Sequence, residues 1–171
     1  MTTKKKVSLR EATIDDSEFV YALTKDKDYQ KYFPSNLIAT DLEDQKRKLR
    51  HFVAQMQNQN GYYFIILFGK EKAGILDLYK IDRKNNRAAI GYGIDKKYWG
   101  KGIATTALKE AMKYSKEKQK LHALAAYIHP KNIASQKVMK KCKFKKVGTL
   151  KDYDFEKGKY EDQVLYWKIL K

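Results

Sequence analysis

The sequence is short of the residues that cross-link a chain, bind metals or cross a membrane. A single cysteine, Cys142, in 171 residues excludes an internal disulfide and suits a reducing compartment. It falls inside the last helical stretch, where a thiol reads as a small buried hydrophobe; a catalytic thiol needs a basic partner that the sequence does not reveal. Three histidines, His51, His122 and His129, have no ligand spacing between them, so no metal is expected. No apolar run approaches the ~18–20 residues that span a bilayer. The basic start, Met1 to Lys6, has no apolar segment behind it, so no signal peptide is visible. A cytoplasmic protein without a membrane partner is the expectation. Repeats, low-complexity linkers and a second domain are missing too, which leaves one domain over residues 1–171 with a short basic tail, 1–6.

Arginine is also scarce. Of 37 basic residues only Arg10, Arg47, Arg50, Arg83 and Arg87 are arginine, and the formal net charge is +17. Readers of phosphate and base edges favour the guanidinium fork. A lysine excess spread over every element reads first as compositional bias. A basic ribosome- or RNA-associated role is the alternative. On either reading the positive field helps recruit a polyanion and repels a polycation.

Hydrophobic periodicity then orders the chain. Val7 and Leu9 alternate as a first strand, and Thr13 caps a helix carrying Phe19, Val20 and Leu23. Asp28 to Pro34 is an aromatic lobe. Thr40 and Glu43 read as a capping box for a helix whose face holds Leu42, Leu49, Phe52, Val53 and Met56. Strands follow at Tyr62–Phe68, Ala73–Ile81 and Arg87–Asp95, joined by tight turns as an antiparallel meander. A helix over 105–118 and a strand over 121–129 then imply one parallel, right-handed crossover. A helix over 133–142 and a hairpin, Phe144–Tyr153 and Tyr160–Ile169 around Glu156-Lys157-Gly158, complete the chain. The fold class is α+β: a mostly antiparallel mixed sheet with one parallel strand pair and helices on both faces.

Two segments carry chemistry. Residues 97–105, Lys-Tyr-Trp-Gly-Lys-Gly-Ile-Ala-Thr, sit where a strand hands over to a helix. Unpaired N–H groups and the helix dipole make such a loop a phosphate site. Gly100 and Gly102 admit positive φ there. The loop lacks both the Walker pattern and the third glycine of the dinucleotide fingerprint. The second segment, Pro130-Lys131-Asn132-Ile133-Ala134-Ser135, opens the next helix, with Asn132 a natural N-cap. Gly91 and Gly93 suit either close ligand approach or packing under an aromatic ring.

The order of G-x-G loop, helix, strand, P-x-N-x-x-S, helix and C-x-F (Cys142, Phe144) resembles the GNAT acetyltransferase superfamily. It is most similar to the branch holding ribosomal-protein N-terminal and spermidine acetyltransferases. The resemblance covers roughly residues 5–170 and is most specific between Ile90 and Phe144. It implies acetyl-CoA as co-substrate, its pantetheine arm splaying the parallel pair between Ile94 and Tyr127–His129. It further implies that amides of Gly100, Lys101, Gly102, Ile103, Ala104 and Thr105 hold the pyrophosphate, with Lys97 and Lys101 adding charge. By the same resemblance an N–H near Ile94 polarises the thioester, Asn132 bonds the cofactor arm and Ser135 assists the leaving thiolate. Met139 stands where many members carry a tyrosine, Lys143 where glycine is usual and Thr106 where glutamate is frequent. The implied acceptor is a primary amine on a peptide or small molecule; the net charge of +17, through Coulomb repulsion, points away from a polycation. A monomer or homodimer is expected. Candidate bases on the acceptor side are Asp28, Glu156, Glu161 and Asp162, with Asp26 nearby.

Overall fold

The computed structural model describes residues 5–171, so most of the basic tail lies outside the described residues. Strands and helices run β1 (Val7–Glu11), α1 (Ser17–Lys25), α2 (Lys27–Gln30), α3 (Leu42–Gln57), β2 (Tyr62–Phe68), β3 (Glu71–Asp82) and β4 (Arg87–Ile94). After β4 come α4 (Ile103–Glu117), β5 (Ala123–Ile128), α5 (Ile133–Lys141), β6 (Lys145–Glu156) and β7 (Lys159–Ile169). The strands form one sheet in the order β1-β2-β3-β4-β5-β7-β6. All neighbours are antiparallel except β4 and β5. The expected α+β sheet with a single parallel step is therefore present, and no described helix is long and apolar enough to cross a membrane.

Strand alternation sends side chains to two cores. Leu76, Leu78, Ile90, Leu124 and Tyr166 face α4 and α5, where Ile103, Ala107, Leu108 and Met139 meet them. Tyr63, Ile65 and Ile75 face α1 and α3 and pack on Val20, Leu23 and Leu49. Burying each large apolar side chain is worth roughly 1.5–3 kcal/mol, so a one-residue slip would expose several of them at once. Register is fixed by that sum.

Two helix ends differ from the sequence reading or sharpen it. The cap of α3 is Asp41, whose carboxylate accepts the Asp44 N–H at 2.8 Å, while Asp44 accepts the Thr40 N–H at 3.0 Å. The expected Thr40–Glu43 pair is displaced by one residue. Carboxylates accept these N–H bonds more strongly than a hydroxyl does, and they complement the helix dipole. At the end of α5, Lys143 takes the left-handed φ of +61°. Its N–H reaches the Lys140 carbonyl and that of Phe144 reaches Met139, at 2.9 and 3.0 Å. This Schellman arrangement normally uses glycine.

Pairing between β4 and β5 covers only Arg87–Ala123, Ala88–Leu124 and Ala89–Ala125. Beyond that point β4 continues with β3, and β5 continues with β7. The two strands diverge from Ile90 and Ala126 onward. Asp95 N–H bonds the Ala73 carbonyl at 2.9 Å, which sets the alternation along β3 and β4. By that alternation the N–H groups of Ile90, Tyr92 and Ile94 turn away from β3 into the cleft.

Candidate active site

The loop after β4 is built around two left-handed glycines, Gly100 and Gly102, both at φ +73°. A Cβ on either meets no atom within 4 Å, so backbone conformation rather than space calls for glycine there. Gly102 is the N-cap of α4, and its carbonyl accepts the Thr106 N–H at 3.1 Å. Among the described residues, no N–H from Gly100, Lys101, Gly102, Ile103, Ala104 or Thr105 donates to a protein acceptor. Six consecutive donors at a helix start form an anion cradle, reinforced by the dipole of a 15-residue helix. The Lys101 ammonium folds back on the Lys97 carbonyl at 3.0 Å, and both lysines lie over the Tyr98 ring. Lys97 also pairs with Asp95 at 3.4 Å. The exposed Trp99 ties this loop to the cleft, its indole N–H bonding the Ile94 carbonyl at 2.8 Å.

On the other side of the cleft, Asn132 is the N-cap of α5, and its Oδ1 accepts the Ser135 N–H at 3.1 Å. Capping uses the side-chain oxygen; its amide nitrogen meets no protein acceptor among the described residues. Ser135 Oγ accepts a hydrogen bond from the Tyr92 hydroxyl at 3.1 Å. Burial pushes the Tyr92 phenol up to about 12, against the lowering effect of that bond, so it stays protonated at neutral pH. Met139 is sunk in the core at 1% exposure and faces no solvent. Cys142 is buried, its thiol pushed up by that burial and 3.7 Å from the Thr105 carbonyl, an inert packing group as the sequence suggests.

The opposite face of the same cleft is aromatic. The lobe around α2 spans the diverging strands, with Tyr29 over Gly93 of β4 and the Tyr32 ring tilted against His129 beyond β5, 5.1 Å between centroids. Gly91 and Gly93 therefore lie beneath side chains, one of the two roles the sequence allows them. The acidic residues named from sequence are dispersed and engaged. Asp28 pairs with Lys96, Glu156 holds the Ser35 N–H and hydroxyl, Glu161 meets His129 and Lys159, and Asp162 meets Lys151. The hydrogen bonds to those lysines hold Asp28, Glu161 and Asp162 below their usual range. Asp26 caps α2. These five do not form an open acidic pocket.

The carboxylate that sequence reasoning missed is Asp77, in the middle of β3. It is half-buried, and burial raises it to about 6. The signal was present: Asp77 is the lone charge in the run Ala73-Gly-Ile-Leu-Asp-Leu-Tyr79.

A cleft opened between two parallel strands, beside a run of free backbone donors at a helix start, defines an acyl-CoA-binding transferase architecture. The chain belongs to the acetyltransferase (GNAT) domain family, which matches residues 6–145. It is an acetyltransferase, and acetyl-CoA is its co-substrate. It is 30% identical over 173 residues to the probable N-acetyltransferase YjcK of Bacillus subtilis, covering 96% of this chain and 95% of that protein. The ribosomal protein uS5-alanine N-acetyltransferase of Escherichia coli is 30% identical across 66% of this chain and 60% of its own length. RimL, a ribosomal L7/L12 α-N-protein acetyltransferase solved with coenzyme A, superposes with a TM-score of 0.90 at 23% identity, covering 99% of this chain and 97% of its own.

Proposed function

We infer that this acetyltransferase moves the acetyl group directly to a primary amine, a protein N-terminus or a small amine, within a ternary complex. The observation that carries the reading is the run of six unpaired N–H groups from Gly100 to Thr105 beside the β4/β5 cleft. Those amides, with Lys97 and Lys101, hold the pyrophosphate. The cleft-facing N–H of Ile94 polarises the thioester carbonyl, an oxyanion role that needs no side chain. Asn132 offers its amide nitrogen to the pantetheine arm while its oxygen caps α5. Ser135 keeps its own proton for the leaving sulfur, because its oxygen accepts from Tyr92. A vestigial fold serving RNA binding alone would not need an intact anion cradle, which favours the enzyme reading.

The uS5-alanine relative supports an α-amine acceptor, and a net charge of +17 disfavours polycations. Calorimetry with acetyl-CoA tests the first half of the reading, and saturable binding is expected. CoA release measured over N-terminal peptides, amino acids, polyamines and aminoglycosides tests the second. A polyamine as the best acceptor by kcat/KM would overturn the acceptor assignment.

A further inference from the structure

Adjacent residues of β4 point to opposite faces of the sheet, so Gly91 and Tyr92 divide the cleft into two chemical sides. Tyr92 faces α5 and reaches Ser135. Gly91 faces the aromatic lobe, directly opposite Asp77 of β3 in the register. A Cβ on Gly91 would stand 2.6 Å from Asp77 Oδ1 and 3.6 Å from the Tyr79 ring. The carboxylate thus lies in the space a side chain would fill, at the edge of the cleft. No other described residue donates a hydrogen bond to it. One position along the same face, the Tyr29 hydroxyl sits against Gly93, buried and without a hydrogen-bond partner among the described residues. Two polar groups that no other described residue hydrogen-bonds, lying over neighbouring glycines of the strand that borders the cleft, leave hydrogen-bonding capacity that folding does not use.

We propose that Asp77 is a catalytic residue of the acceptor site, binding the acceptor's ammonium and taking its proton, with the Tyr29 hydroxyl as the second polar contact. This rests on the acetyl-transfer reading above and assigns its missing base. The reaction balances as RNH3+ plus acetyl-S-CoA giving RNHCOCH3, CoASH and a proton. Asp77 takes the first proton from nitrogen and releases it to solvent. The freed lone pair forms the N–C bond and the C–S bond breaks; the sulfur takes the Ser135 hydroxyl proton, the second nitrogen proton leaves through the regenerated Asp77 carboxylate to solvent, and Ser135 is reprotonated from solvent, so one proton is released net. Base and acid then work from opposite faces of one strand.

The groups facing Asp77 favour this role. Tyr63 from β2, Tyr79 from β3 and Tyr29 from α2 are neutral, each held protonated by its own burial and by the Asp77 charge. Gly91 of β4 lies across from it, and no cation among the described residues pairs with the anion. A carboxylate so placed binds an arriving ammonium in preference to water and releases its proton near neutrality.

The test uses the full chain and the amine of the panel with the highest kcat/KM. Asp77→Asn should lower kcat/KM by about 10²-fold or more, as expected on removing a general base. Its acetyl-CoA affinity by calorimetry should stay within twofold of wild type. The wild-type kcat/KM should carry an acid limb near pH 6 that the variant lacks. A 13C carboxyl titration should place the Asp77 midpoint near 6 and assign it by its loss in Asp77→Asn. Gly91→Ala, which displaces the carboxylate without removing it, should lower kcat/KM while leaving acetyl-CoA binding intact. A variant that binds acetyl-CoA and turns over within threefold of wild type, or an Asp77 midpoint below about 4.5, overturns the proposal. Failure of the wild type to bind acetyl-CoA would instead overturn the transfer reading itself.

Discussion

The Tyr92 hydroxyl lies 3.1 Å from Ser135 Oγ, joining a strand on one side of the cleft to the first turn of the helix on the other. Met139, buried in the core, has no proton to give, and the phenol that reaches the serine is that of Tyr92. Ser135→Ala should therefore lower kcat more than it raises KM for acetyl-CoA, since the interaction strengthens as charge develops on sulfur. Tyr92→Phe should lower kcat less, and the double variant should resemble Ser135→Ala. Independent, additive losses from the two substitutions would refute a coupled pair.

Gly102 is held at φ +73° in open space, so a side chain there strains the backbone without a clash. A left-handed non-glycine residue costs about 1–2 kcal/mol. Gly102→Glu adds a negative charge at the anion cradle as well. Acetyl-CoA affinity should drop by at least about tenfold, or 1.4 kcal/mol, with the far-UV spectrum unchanged. Calorimetry reads this directly, and unaltered affinity would detach the loop from the co-substrate.

Lys143 occupies the left-handed end of α5 at φ +61°. Glycine there should relieve about 1–2 kcal/mol of strain while adding roughly 0.5–1 kcal/mol of unfolded-state entropy. The difference favours Lys143→Gly by about 0.5–1 kcal/mol, a Tm rise of about 2 °C. Thermal denaturation that shows a lower Tm would mean that the Lys143 side chain contributes more than its backbone strain.

Asp16 is buried at 1% exposure, between Arg10 and Lys72, each 2.7 Å away. Burial alone would raise its pKa, but the hydrogen bonds from Arg10, Lys72 and the Thr13 N–H outweigh it and hold it at about 2. A depressed carboxylate stabilises the fold above its unfolded pKa of about 4, and that stability is lost as pH falls toward 2. The contribution is on the order of 2 kcal/mol. Asp16→Asn should cost about 2 kcal/mol at pH 7, short of a fully buried pair because both cations reach solvent. Urea midpoints at pH 7 and pH 3 should differ less in the variant than in the wild type.

Lys80, on the strand that carries Asp77, places its ammonium 4.8 Å from the Tyr127 ring and 3.2 Å from the Tyr153 hydroxyl. A fixed cation there opposes a second ammonium by about 1 kcal/mol after screening. Lys80→Gln should raise kcat/KM for spermidine relative to a monoamine by roughly fivefold. An unchanged ratio would show that the overall field, not this residue, sets the preference.

Much of the site was legible because it is local. Gly100, Gly102 and Asn132 act through the backbone of their own turns, and turn chemistry is written in adjacent residues. The same holds for strand 62–68, whose β-rich run matches β2 residue for residue. Thr40, Asp41, Glu43 and Asp44 offer two overlapping boxes, so the sequence leaves the cap of α3 open by one position, and only the helix geometry selects Asp41. Asp28, Glu156, Glu161 and Asp162 looked like equal candidates for the base until their lysine, serine and histidine partners were placed.

The sequence by itself determined the order of elements, the parallel step and the two glycines at positive φ, because periodicity and turn chemistry depend on neighbours along the chain. It also carries the motifs on which the family resemblance rests. Tertiary structure alone decided that Asp77 meets Gly91, that Tyr29 covers Gly93 and that Tyr92 reaches Ser135. Those pairs are separated by 14, 64 and 43 residues, differences of the residue numbers themselves. Their meeting depends on strand register and on which core each face buries, and no local pattern encodes that.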